Sequence, residues 1–130
     1  MGIAERIKVL VVDEQVTSRL LLSEALAQLD SRNISIARDG EDALQTLKRD
    51  QHHLVISDFN MPKMDGLALL KEVRSDITMR KMAFVILTAQ GDRALVQKAA
   101  TLGANNVLAK PFTPEKLKRA LEAVFGVLEL

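Results

Sequence analysis

Apolar residues along this chain fall into two alternating patterns. Short continuous runs rich in β-branched side chains are separated by longer stretches in which apolar residues recur at helical spacing. The first kind reads as buried strands and the second as amphipathic helices. The runs lie at Ile7 to Val12, Ile34 to Ala37, Leu54 to Ile56, Ala83 to Leu87 and Asn106 to Ala109. After the first run, Leu21, Leu22, Ala25, Leu26 and Leu29 share a helical face. Ala43, Leu44 and Leu47 do so after the second, and Leu67, Leu70 and Val73 after the third. Leu95, Ala99 and Leu102 follow the fourth, and Leu117, Leu121, Val124 and Leu128 the fifth.

The breaks between elements agree with this division. Thr17 or Ser18 can cap the first helix, and Asp39-Gly40 is a turn before the second. Met64-Asp65-Gly66 leads into the third helix. Gly91-Asp92 opens the fourth, and Gly103 is well placed as its left-handed stop. Thr113-Pro114 starts the last helix, with Thr as cap and Pro at the first helical position. Five repeats of strand then helix imply an α/β fold whose parallel sheet is covered on both faces. No linker or low-complexity tract interrupts them, so residues 1–130 read as one domain.

In a parallel sheet every strand's carboxyl end lies on one edge, where open α/β sheets bind their ligands. Asp13 and Glu14 end the first strand, Asp58 the third, Thr88 the fourth and Lys110 the fifth. Asp58 is the centre of this set. It stands where the run Leu54-Val55-Ile56 stops, and Pro62 prevents regular structure from continuing. Three carboxylates held together repel and raise one another's pKa values, which a hard divalent cation relieves. Mg²⁺ is often held by one or two carboxylates beside a phosphate. Asp can accept a phosphoryl group covalently. Lys110 and Thr88 would supply a positive charge and a hydroxyl for the phosphoryl oxygens.

Composition removes several other classes. The 130 residues carry 18 basic and 17 acidic side chains, for a net charge of +1, which leaves no nucleic-acid footprint. Cysteine is absent, excluding disulfides and thiol catalysis. No stretch approaches membrane-spanning length and no signal peptide opens the chain, so a cytoplasmic protein is expected. Several polar features have ordinary explanations. His52 and His53 lack metal-ligand spacing and read as surface or edge residues, Lys116, Lys118 and Arg119 as a solvated helix face, and Met61 and Met64 as loop packing.

At these strand ends the chain resembles the CheY-like receiver domains of two-component signalling. The pieces are Val11-Val12-Asp13-Glu14, Ser57-Asp58-Phe59-Asn60-Met61-Pro62, Met64-Asp65-Gly66, Leu87-Thr88-Ala89 and Lys110-Pro111-Phe112. The resemblance, rather than any periodicity, implies a flavodoxin-like (βα)5 fold with strand order 2-1-3-4-5. It implies that Asp58 is phosphorylated by a histidine kinase or a small phosphodonor. It implies a Mg²⁺ site formed by Asp13, Glu14, Asp58 and the backbone carbonyl of Asn60. Thr88, Lys110 and the backbone amide of Ala89 would contact the phosphoryl oxygens. The Lys110-Pro111 bond is usually cis in relatives, and a cis bond before Pro is physically accessible.

Signalling would pass to the face built by the fourth helix, fifth strand and fifth helix, where a phosphatase or a motor or adaptor protein would dock. Such a domain is not an enzyme beyond its own phosphorylation and dephosphorylation, and is expected to be a monomer acting in chemotaxis. Two departures bear on this. Glu14 stands where Asp is commoner, and Val107 stands where relatives carry a Tyr or Phe whose ring turns inward on activation. Asp92-Arg93 replaces the usual basic pair opening the fourth helix, which weakens the inference to a flagellar motor.

Three other readings compete with a switch. The chain could be a phosphate sink that drains a shared kinase, a reading favoured by Val107 and by the lack of an output domain after the fifth helix. It could be a constitutive scaffold with a vestigial site, against which the intact acids, Thr88 and Lys110 argue. A metal-dependent phosphatase of another α/β family would need a second Asp two residues after Asp58, where Asn60 stands.

Overall fold

The strands Val9–Val12, Leu54–Asp58 and Ala83–Thr88 are buried along their whole length, whereas Ile34–Ala37 and Asn106–Ala109, at the edges of the sheet, are only partly buried. A computed structural model describes residues 3–89 and 93–125 of the chain. The expectations placed on Gly91, Asp92 and Leu128 lie outside these residues. After a one-turn helix at Ile3–Arg6, the elements run β1 (Val9–Val12), α1 (Val16–Gln28), β2 (Ile34–Ala37), α2 (Gly40–Arg49) and β3 (Leu54–Asp58). They continue α3 (Gly66–Ser75), β4 (Ala83–Thr88), α4 (Arg93–Thr101), β5 (Asn106–Ala109) and α5 (Pro114–Phe125). All neighbouring strands are parallel, in the order β2-β1-β3-β4-β5. The one-turn helix had no counterpart in the periodicity, and β1 is shorter than expected at its start.

Alternation along the strands divides the core in two. Val9, Val11, Leu54, Ile56, Val85 and Leu87 point to one face, where Leu22 and Leu26 of α1 and Leu117 and Leu121 of α5 cover them. Leu10, Val12, Val55, Phe84 and Ile86 point to the other, under Leu47 of α2, Leu67, Leu69, Leu70 and Val73 of α3 and Ala99 of α4. This two-sided cover is why the strands read as unbroken apolar runs.

The helix starts use local capping that also shapes the loops. Asp39 caps α2 by accepting from the Asp42 amide at 2.8 Å, and Asp65 caps α3 by accepting from the Ala68 amide at 2.8 Å. Thr113 Oγ1 accepts from the Lys116 amide at 3.1 Å, as expected for the α5 cap. The α1 start differs from expectation. Its cap position is Gln15, without a side-chain cap, so Thr17 and Ser18 fall inside the first turn. Leu21 is also 57% exposed rather than part of the core. It lines a groove of about 590 Å³ between α1 and the Lys110–Phe112 loop.

Candidate functional site

The sheet registers β3 so that Asp58, its last residue, lies opposite Leu87, and β5 so that Ala109 lies opposite Thr88. The chain beyond each strand is tied down at once. The Phe59 amide donates to Leu87 O at 2.8 Å, and the Lys110 amide to Thr88 O at 2.8 Å. The loop after Asp58 returns tightly, with the Gly66 amide donating to Phe59 O at 2.9 Å. A Cβ on Gly66 would lie 2.8 Å from Asp58 O, so a side chain there would push the loop off the strand end. The Lys110-Pro111 peptide is cis.

These constraints bring three charged groups together. Lys110 Nζ lies 2.9 Å from Asp58 Oδ1 and 3.2 Å from Asp13 Oδ2. The side chains of Asp13 and Asp58 are only 4% and 12% exposed, so this ammonium is their principal screen from one another. Burial pushes the Asp58 carboxyl above its usual range, the bond and charge of Lys110 pull it back, and the charge of Asp13 adds a smaller upward push. Burial alone would lower the Lys110 ammonium. Its bonds and charges toward Asp58 and Asp13 outweigh that and raise it, so it stays protonated. Thr88 is fully buried beside this group, and Ala89, the next residue, is exposed.

The acidic pair at the end of β1 divides. Asp13 is buried and Glu14 is exposed. The ion-pair contacts at this edge join two carboxylates, those of Asp13 and Asp58, to one ammonium. Among the described residues no three Asp, Glu, His or Cys side chains group as metal ligands. Asn60 is exposed on the β3–α3 loop. Val107 sits in β5, half-buried, against the second core cluster.

Asp13 and Asp58 reach one cation together, and both donate oxygen. A divalent ion of the Mg²⁺ type takes few protein oxygens and keeps several waters, so this pair with nearby loop carbonyls fits it. One contributing residue was not anticipated. Arg19, on the first turn of α1, donates from Nη1 to Asp13 O at 2.8 Å and to Glu14 O at 3.3 Å, holding the acidic loop. A basic residue one helical turn beyond an acidic pair was the available signal.

Comparison with known proteins agrees with this geometry. The family model described as the response regulator receiver domain matches residues 9–122. A probable chemotaxis protein CheY of Rhizobium etli is 66% identical over 129 residues, covering 99% of this chain and 100% of that protein. The BeF3-activated, Mg²⁺-containing structure of the response regulator Chey2 of Sinorhizobium meliloti is 67% identical, with a TM-score of 0.75, covering 99% and 100% of the two chains. The chemotaxis protein CheY4 of Vibrio cholerae has a TM-score of 0.84 at 32% identity, covering 91% of this chain and 98% of its own. No helix among the described residues is long and apolar enough to cross a membrane. With the receiver model spanning nearly the whole sheet, and so similar a relative along its length, the chain belongs to the response regulator receiver domain family, in its CheY-like group.

Proposed function

We propose that the chain is a single receiver domain that accepts a phosphoryl group on Asp58 from a histidine kinase. The observation that carries this reading is the Lys110 ammonium shared by Asp58 and Asp13 in one buried pocket at the carboxyl edge. A free Asp58 oxygen attacks the phosphorus of a phosphohistidine. The P–N bond breaks as the new P–O bond forms, and the electron pair leaves with the imidazole. With acetyl phosphate the acetate leaves instead. Burial makes Asp58 a more basic, better nucleophile than a solvated carboxylate.

Asp13, Asp58, the Asn60 carbonyl and the longer arm of Glu14 are the ligands proposed for Mg²⁺, which when bound neutralises charge on the transferring group. Lys110 then passes from the Asp58 carboxylate to a phosphoryl oxygen. The Thr88 hydroxyl and the Ala89 amide bind the remaining oxygens, so that phosphorylation draws on the start of α4. Output then passes through α4, β5 and α5 to a phosphatase or a motor or adaptor protein in chemotaxis. CheY-like receivers are not ordinary enzymes, and the self-catalysed gain and loss of phosphate belongs to the proposal.

A second reading is favoured by Val107. An aliphatic residue packed against the core cannot turn a ring inward to report the state of Thr88. A phosphate sink that drains a shared kinase needs no such report. The test of the common chemistry is intact mass after incubation with acetyl phosphate. One phosphoryl group gained only with Mg²⁺, and lost in Asp58→Asn, supports it. No gain with either acetyl phosphate or a cognate kinase overturns it.

A further inference from the structure

Arg74 lies in the last turn of α3, where a basic residue ordinarily faces water and complements the helix dipole. Here it turns inward, and burial lowers its pKa, though a guanidinium remains charged. Nε and Nη2 donate to Gly103 O at 3.0 and 2.8 Å. Nη1 donates to Arg80 O at 3.0 Å and Met82 O at 2.6 Å, and Nη2 also to Asn105 Oδ1 at 3.1 Å. All five donors of the planar fork are thus used, each on a neutral oxygen.

The partners come from two segments, one just after α3 and one distant in the chain. Met82 precedes β4, while Gly103 and Asn105 connect α4 to β5. Asn105 is fastened to β4 as well, its Oδ1 accepting from the Phe84 amide at 2.8 Å and its own amide donating to Phe84 O at 2.8 Å. Gly103 has φ of +99°, and a Cβ there would come within 3.0 Å of Arg74 Nε. Glycine therefore serves both the backbone turn and the approach of the guanidinium. Along α4 Ala99 is buried and Leu95 is half-buried against the core, while the other residues from Arg93 to Thr101 are exposed.

We infer that Arg74 is a positioning residue for the output face: it pins the carboxyl end of α4 and the start of β5 to the sheet, so that rearrangement on phosphorylation is confined to the amino end of α4, next to Thr88 and Ala89. This rests on the receiver reading above. It also gives a domain without an aromatic at position 107 a fixed pivot about which α4 can report the state of the site. Lysine cannot take over, because a single ammonium has three donors and no fork.

The experiment is amide NMR of the full chain with Mg²⁺, with and without beryllofluoride as the phosphoryl mimic, for wild type, Arg74→Lys and Arg74→Ala. In wild type the shift changes are expected to be large over Arg93 to Val96 and small over Ala99 to Asn105. In Arg74→Lys the ratio of the second to the first rises about twofold or more, with the response of Phe59 and Thr88 unchanged. Arg74→Ala extends the series if it folds, and Arg74→Lys decides the matter by itself. A ratio equal to that of wild type, even with a lowered melting temperature, makes Arg74 merely structural and overturns the inference. So does a wild type whose two α4 ends shift equally. Absence of any response at Phe59 and Thr88 in wild type overturns the receiver reading, and this inference with it.

Discussion

At the carboxyl edge of the sheet Lys110 stands between Asp13 and Asp58, whereas beneath the opposite edge Arg74 spreads its donors over neutral oxygens. His52, before β3, is buried rather than at the surface as expected, and it behaves like Arg74, with Nδ1 3.0 Å from Asp50 O and Nε2 3.2 Å from Ser35 Oγ. Groups whose polar atoms are satisfied by neutral oxygens have no reason to rearrange when a ligand arrives. Two buried carboxylates sharing one ammonium do, because each new charge changes what the other two prefer. The carboxyl edge is built to be redistributed and the amino edge to stay fixed.

The largest expected effect removes the acceptor. Asp58→Asn should gain no phosphoryl mass at all from acetyl phosphate with Mg²⁺, and its unphosphorylated form should melt higher than wild type at neutral pH. The sign follows from burial. A carboxyl raised above its unfolded value is charged at a cost in the folded state, so stability is lost as pH rises through the folded pKa, and a neutral amide avoids that loss. A lower melting temperature would mean that the ion pair contributes more than burial costs.

Next comes Lys110→Ala compared with Arg74→Ala. Without Mg²⁺, loss of the lysine leaves two poorly solvated carboxylates facing each other and should cost on the order of 2 kcal/mol, less than for a fully buried pair because Lys110 is partly exposed. Mg²⁺ should restore most of this, so the metal-induced rise in melting temperature becomes larger than in wild type. Arg74→Ala should lower stability by the same amount with or without the ion. Equal Mg²⁺ responses in the two variants would erase the distinction between the edges.

His52 offers a smaller, pH-dependent effect. Burial holds its pKa below the ordinary histidine value of about 6.5. As pH falls below that value the unfolded chain gains a proton that the folded chain does not, so stability declines until the lowered folded pKa is reached. Urea midpoints of wild type and His52→Gln from pH 8 downward should diverge in slope below about 6.5, the variant being flatter. Parallel curves would show that His52 does not resist protonation.

The smallest effect is expected at Glu14. Because its carboxylate is exposed, Glu14→Asp should change Mg²⁺ affinity by less than about 1 kcal/mol, measured from amide shifts during a metal titration. A large loss would mean that the longer arm is a required ligand.

The elements themselves were legible because burial along one strand or helix is written in its own periodicity. β2 and β5 fall at Ile34–Ala37 and Asn106–Ala109 as read, Gly103 takes the left-handed stop, and Asp58 ends its strand. A single apolar run also announced a sheet covered on both faces. Periodicity within an element is silent about its neighbours, however. Strand order came only from family resemblance until the pairing was seen. The burial of Asp13 beside an exposed Glu14 depends on how the loop after β1 packs. The exposure of Leu21 depends on where the Lys110–Phe112 loop runs past α1. Arg74 was unreadable because its partners Gly103 and Asn105 lie 29 and 31 residues away. Local pattern determines which residues must be buried, and only packing between elements decides which of them meet.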